Sequence, residues 1–107
     1  MSIQFIGRSG AVYNLELYPH NIIPKDIRGA ICIFTKSEPS PIGNLYYKLH
    51  IVSTDNAQDE IMKERQWSNH KICNSVCIRQ EENAFAREVI FQDLASNPDL
   101  LGRSQHP

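Results

Sequence analysis

The stretch GAICIFT, residues 29–35, constrains the fold more than any other part of the chain. It holds no charged side chain, and its apolar positions run on almost without a break. A strand with one face in water alternates apolar and polar residues; a near-continuous run of strand length points to a strand covered on both faces. The loop EPSPIGN follows, with two prolines and a glycine, and then a second β-prone run, LYYKLHIVS, from Leu45 to about Ser53. Two such runs across a breaker-rich loop read as an antiparallel hairpin. Upstream, Gly7, Ser9 and Gly10 mark a turn. After it Val12, Tyr13, Leu15, Leu17 and Tyr18 form a third β-prone run, stopped by Pro19. NIIPKDIRG is a connector broken at Pro24.

Thr54 and Asp55 then read as a helix start, with Asp55 as N-cap and Gln58 three residues on, as in a capping box. The helix NAQDEIMKERQ has only Ala57, Ile61 and Met62 as apolar anchors, so it is expected to be short and largely exposed. WSNHKICNS is irregular, and SVCIRQ reads as a short strand. EENAFAREVIFQDLAS carries the strongest helix pattern, with Ala86, Val89, Ile90 and Leu94 as a stripe at helical spacing. Glu81 and Glu82 suit its positive N-terminal end, and Asn97-Pro98 stops it. The tail GRSQHP is read as frayed. These readings give an α+β domain over residues 1–97, a small three-stranded antiparallel sheet flanked by helices, with residues 98–107 as a C-terminal tail.

A length of 107 residues, 41% hydrophobic and 21% charged, fits one globular domain with a single core. No apolar run approaches the roughly 18 residues that span a bilayer, so no membrane partner is expected. The opening MSIQFIGRSG lacks a basic-then-apolar leader, and a cytoplasmic location is expected. Cys32, Cys73 and Cys77 are too few, and odd in number, for a disulfide framework, and suit a reducing compartment. A net charge of -1 argues against sequence-independent binding to nucleic acid. Charge is nonetheless segregated, at +2 over residues 1–36 and -2 over residues 37–66.

The order FIGRSGAVYNLELYP, GAICIFTKS, LHIVSTDN, EENAFAREVIFQDL resembles the GIY-YIG nuclease superfamily, and most closely its small single-domain bacterial members. The similarity runs from about Phe5 to about Leu94 and rests on the order of short motifs. It implies that the namesake tripeptides fall on Ala30-Ile31-Cys32 and His50-Ile51-Val52. In such enzymes two tyrosines, an arginine and a metal-holding glutamate form the site. Here the resemblance puts Cys32 and His50 at the tyrosines, Val52 at the second glycine, Glu60 at the arginine and Phe91 at the glutamate. Gly29, Phe34, Thr35, Thr54, Asp55, Arg87, Asp93 and Leu94 persist as framework.

These replacements oppose the family's chemistry. Phenylalanine offers Mg²⁺ no oxygen ligand. Glu60 puts negative charge where a transferring phosphate needs positive charge. The expectation is therefore a catalytically inactive domain without cofactor, acting as a binding module for a protein partner. The alternatives are a nucleic-acid-binding relic and a divergent Mg²⁺-dependent nuclease with His50 as base and Asp55 or Glu60 as metal ligand. The plainer reading of His50 is a partly buried strand residue with one hydrogen bond, and that of Phe91 is a plug packed with Cys32 and Val52 in the former cleft. Trp67 with Arg65, His70 and Lys71 forms an aromatic and basic cluster suited to stacking a base, gripping a phosphate or anchoring a protein contact. His70, Cys73 and Cys77 match no standard zinc spacing, so no metal is expected and buried free thiols are the simpler reading. The acidic run over residues 55–64 is a solvated helix face or, if functional, a surface for a basic partner.

Overall fold

A computed structural model describes residues 1–19, 21–66 and 72–104. Its strands are β1 (Ser2–Ile6), β2 (Val12–Pro19), β3 (Ala30–Glu38), β4 (Leu45–Thr54), β5 (Ser75–Gln80) and β6 (Leu101–Ser104). Its helices are α1 (Ala57–Arg65), between β4 and β5, and α2 (Ala84–Ala95), between β5 and β6. The strands close into an antiparallel barrel in the order β1-β2-β5-β3-β4-β6. No helix among the described residues is long and apolar enough to cross a membrane.

The closed barrel overturns the expected three-stranded sheet flanked by helices. Three short strands account for the difference. The N-terminal SIQFI forms β1, with Ile3 and Phe5 pointing inward at full burial. β5 inserts between β2 and β3 and pairs with both. Residues 101–104, whose last three were read as frayed, form β6 and bridge β1 to β4. The β3–β4 hairpin is as expected, with one irregularity where Phe34 faces His50 but Thr35 faces Lys48, leaving Leu49 as an extra residue on β4.

The double cover expected for β3 is present, since Ala30 through Thr35 are all buried. Ile31 and Ile33 point into the barrel with Ile3, Phe5, Leu15, Tyr46, Cys77, Leu94 and Leu100. Ala30, Cys32 and Phe34 point outward into a second layer with Val76 and Ile78, roofed by Ala57 and Ile61 of α1. Each fully buried aliphatic side chain contributes on the order of 2 kcal/mol.

β6 is too short to close the barrel along its length. It pairs with β4 only over residues 45–47 and with β1 only at Ile3 and Gln4. α2 packs along the rest of β4. The inward positions of α2 are Arg87, Ile90, Phe91 and Leu94, at the i, i+3, i+4, i+7 spacing of one helix face. Val89, expected in the apolar stripe, is 54% exposed instead.

The C-terminal end of α2 is tied to the β1–β2 turn. Asp93 accepts from the Ser9 backbone N–H at 2.8 Å, the Ser9 hydroxyl at 2.7 Å and the Tyr13 hydroxyl at 2.7 Å. Gly7 is required beneath this carboxylate, because a Cβ there would lie 2.2 Å from Oδ2. The Ser9 and Tyr13 hydrogen bonds favour the charged form and hold the Asp93 carboxyl below its ordinary range. Because the folded pKa lies below the unfolded one, this tie stabilises the fold above about pH 4 and is lost as pH falls through the depressed value. Asp93→Asn should lower the melting temperature at neutral pH and flatten its dependence on pH below about 4; an acid-limb profile identical to that of the parent would refute the tie.

Candidate functional site

The five positions singled out by the resemblance do not converge on one cleft. Cys32 is fully buried in the outer layer beneath α1, and Val52 packs against the same layer. Glu60 lies close enough to Cys32 to act on its thiol. Phe91 packs against the barrel interior, a different layer from Cys32 and Val52. The plug reading is corrected accordingly: alternate residues of β3 face opposite sides, so a side chain in the interior and one under α1 are separated by the sheet. His50 is exposed and stacked on Phe34, with ring centroids 6.1 Å apart, rather than half-buried as expected.

Burial, and secondarily the charge of Glu60, pushes the Cys32 thiol up to about 12. Burial also lifts Cys77 to about 12, against a hydrogen bond from Thr35, and raises Cys73. A thiol so placed stays protonated and is a poor nucleophile and a poor metal ligand at neutral pH. Cys73 belongs to the outer layer and Cys77 to the barrel interior. All three are free thiols.

Of the aromatic and basic cluster, Trp67, His70 and Lys71 lie outside the described residues. Arg65 ends α1 and lines an apolar recess with Ile22, Phe34, Ile61, Glu64 and Cys73.

Of the residues read as retained framework, Gly29, Asp55 and Arg87 come together, while Asp93 lies at the other end of α2 and Leu94 in the barrel interior. Arg87 is 7% exposed. Its guanidinium donates to Ser53 Oγ at 3.1 Å, to the Glu81 carbonyl at 3.0 Å and to Asp55 Oδ1 at 2.6 Å. A buried cation demands acceptors, and here each guanidinium nitrogen has one. Gly29 makes the space, since a Cβ there would meet Arg87 Nη1 at 2.1 Å and the Glu81 carbonyl at 2.6 Å. Asp55 is thereby taken from the capping role expected of it. The N-cap of α1 is Asn56, whose side chain accepts from the Asp59 N–H.

This junction ties the start of α1 to the start of α2, and both helix starts carry carboxylates. Asp55 and Asp59 are exposed on the α1 side, with Glu60 half-buried. Glu82 and Glu88 are exposed on the α2 side, with Glu81 half-buried. Arg87 at the junction is buried, while Arg28 is exposed and lines a recess with Asp55, and Lys63 pairs with Glu60 at 3.7 Å. Sequence reading missed Phe85, which is 81% exposed beside Glu82 and Glu88. Its signal was available, because Phe85 lies off the inward spacing that Ile90, Phe91 and Leu94 share.

No family model, curated protein or solved structure matches the chain.

Unfolding and thiol labelling test this geometry. Gly29→Ala should cost about 2 kcal/mol in urea unfolding, and Arg87→Met a similar amount from lost charge-assisted hydrogen bonds. Asp55→Asn should cost less than about 1 kcal/mol because its carboxylate faces water. In the Arg87→Met background part of the Gly29→Ala cost should vanish; strict additivity would mean that the glycine does not serve the guanidinium. Separately, a thiol-specific reagent near pH 8 should leave Cys32 and Cys77 unmodified until the chain unfolds, and rapid labelling of either in the native protein would contradict their burial.

Proposed function

We propose that this chain is a catalytically inactive binding module whose partner is a protein with a basic surface. The supporting observation is the set of carboxylates, Asp55, Asp59 and Glu60 with Glu81, Glu82 and Glu88, on two helix starts joined through Arg87; they outnumber Arg28 and Lys63, the exposed cations beside Asp55 and Glu60. A surface of this sign repels a phosphate backbone and speeds encounter with basic partners. Three free, buried cysteines suit a reducing, cytoplasmic setting. The positions carried over from the GIY-YIG likeness supply neither a clustered metal-ligand set nor an accessible nucleophile: Cys32 is sealed under α1, and Phe91 lies in a different core layer.

The test pairs activity with binding. The protein is incubated with single- and double-stranded DNA and RNA in Mg²⁺ or Mn²⁺, beside His50→Ala, with gel shifts in parallel. The expected result is neither cleavage nor a salt-sensitive shift, together with retention of basic proteins from cell extract that Glu82→Lys/Glu88→Lys abolishes. Cleavage lost in His50→Ala would replace this reading with a divergent nuclease, and a salt-sensitive shift without cleavage would replace it with a nucleic-acid-binding relic.

A further inference from the structure

The outward face of α2 carries an apolar pair that the fold leaves uncovered. Phe85 is 81% exposed and Val89 54% exposed. They stand four residues apart, one above the other on the helix surface. Neither contributes to the two core layers. The inward face of α2 is filled by Arg87, Ile90, Phe91 and Leu94, so this pair is surplus to folding. An aromatic residue left this exposed is a strong contact residue when a partner dehydrates it.

Charge selects the occupant. Residues 80–95 hold four carboxylates, Glu81, Glu82, Glu88 and Asp93, against the single cation Arg87. Arg87 is buried and spent on Asp55, Ser53 and the Glu81 carbonyl. Asp93 is turned to Ser9 and Tyr13. Glu82 precedes Phe85 by three residues, and Glu88 follows it by three, next to Val89. The apolar pair is therefore flanked by carboxylates, with no exposed cation of its own segment among them.

We infer that Phe85 and Val89 form the docking point for a basic amphipathic segment of a partner protein. A large apolar residue of the partner covers the pair, while Lys or Arg on either side meets Glu82 and Glu88. Removing Phe85 from water supplies affinity, and the carboxylates supply orientation and on-rate. This inference rests on the basic-partner reading above and narrows it to one helix face.

The test measures binding of two labelled synthetic peptides by fluorescence anisotropy. One is a short amphipathic helix of Lys and Leu; the other replaces every Leu with Ser and keeps the charge. The full chain is compared with Phe85→Ser, Val89→Ser and Glu82→Lys/Glu88→Lys, each checked for an unchanged melting temperature. The Leu peptide should bind more tightly than the Ser peptide. Phe85→Ser should weaken the Leu peptide at least about tenfold and leave the Ser peptide unaffected. Equal, salt-sensitive binding of both peptides, indifferent to Phe85→Ser, would overturn the docking point while the acidic-surface reading stands. Failure of both peptides to bind would overturn the two together. A concentration-dependent dimer in sedimentation, abolished by Phe85→Ser, would overturn the basic segment as occupant and assign this face to a second copy of the chain.

Discussion

The barrel depends on one buried cation. Arg87 projects from α2 into the junction of β3, β4 and the segment entering α2, where water cannot solvate it. Burying a guanidinium is costly unless its donors are met. Here Ser53, the Glu81 carbonyl and Asp55 accept from it, and they come from two distant stretches of the chain, the end of β4 and the segment entering α2. Those groups are correctly spaced only when β4 is paired along β3 and α2 lies against β4. The guanidinium therefore fixes where α2 sits, and the absence of a side chain on Gly29 is the steric condition for its entry. Asp93 does the same at the other end of α2, where Gly7 leaves the space.

The two ties matter because the barrel is closed unevenly. β6 contributes four residues, and its pairings with β1 and β4 extend over only part of either strand. Where the ladder stops, α2 takes over as the wall and sends Leu94 into the interior. An open sheet edge would expose unpaired backbone groups and invite pairing with other chains. A short strand and a tethered helix together cover that edge. The same tether turns the opposite face of α2, with Phe85 and Val89, toward solvent, and engages Arg87, the one cation of residues 80–95. The acidic, partly apolar face follows from how the barrel is closed.

Much of the local structure was legible in the chain. The uninterrupted run of residues 29–35 announced a doubly covered strand, and β3 has that cover. The loop with two prolines and a glycine placed the hairpin, and the helical spacing of α2 placed its helix. Other local readings failed where a tertiary contact competed with them. Asp55 satisfies the pattern of a helix cap, yet a guanidinium at 2.6 Å outbids the backbone N–H groups for it, and Asn56 takes the cap. Val89 sits in an apolar stripe by spacing, yet Arg87 owns the inward face because its acceptors lie there.

By itself, then, the sequence determined the elements with strong periodicity or punctuation: β2, β3, β4, α1, β5 and α2, and the burial of the three cysteines. Tertiary structure alone decided the architecture and the site. β1 and β6 are five and four residues long, and strands so short have no stability until neighbours complete their hydrogen bonds. Their pairing converts a sheet into a barrel, and no local pattern encodes a contact between residues 3 and 104. The same holds for the positions likened to a nuclease site. Which side of β3 each one faces, and so whether they meet, follows from strand pleat and from what packs on each face. Cys32 and Phe91 are separated by the sheet for that reason alone.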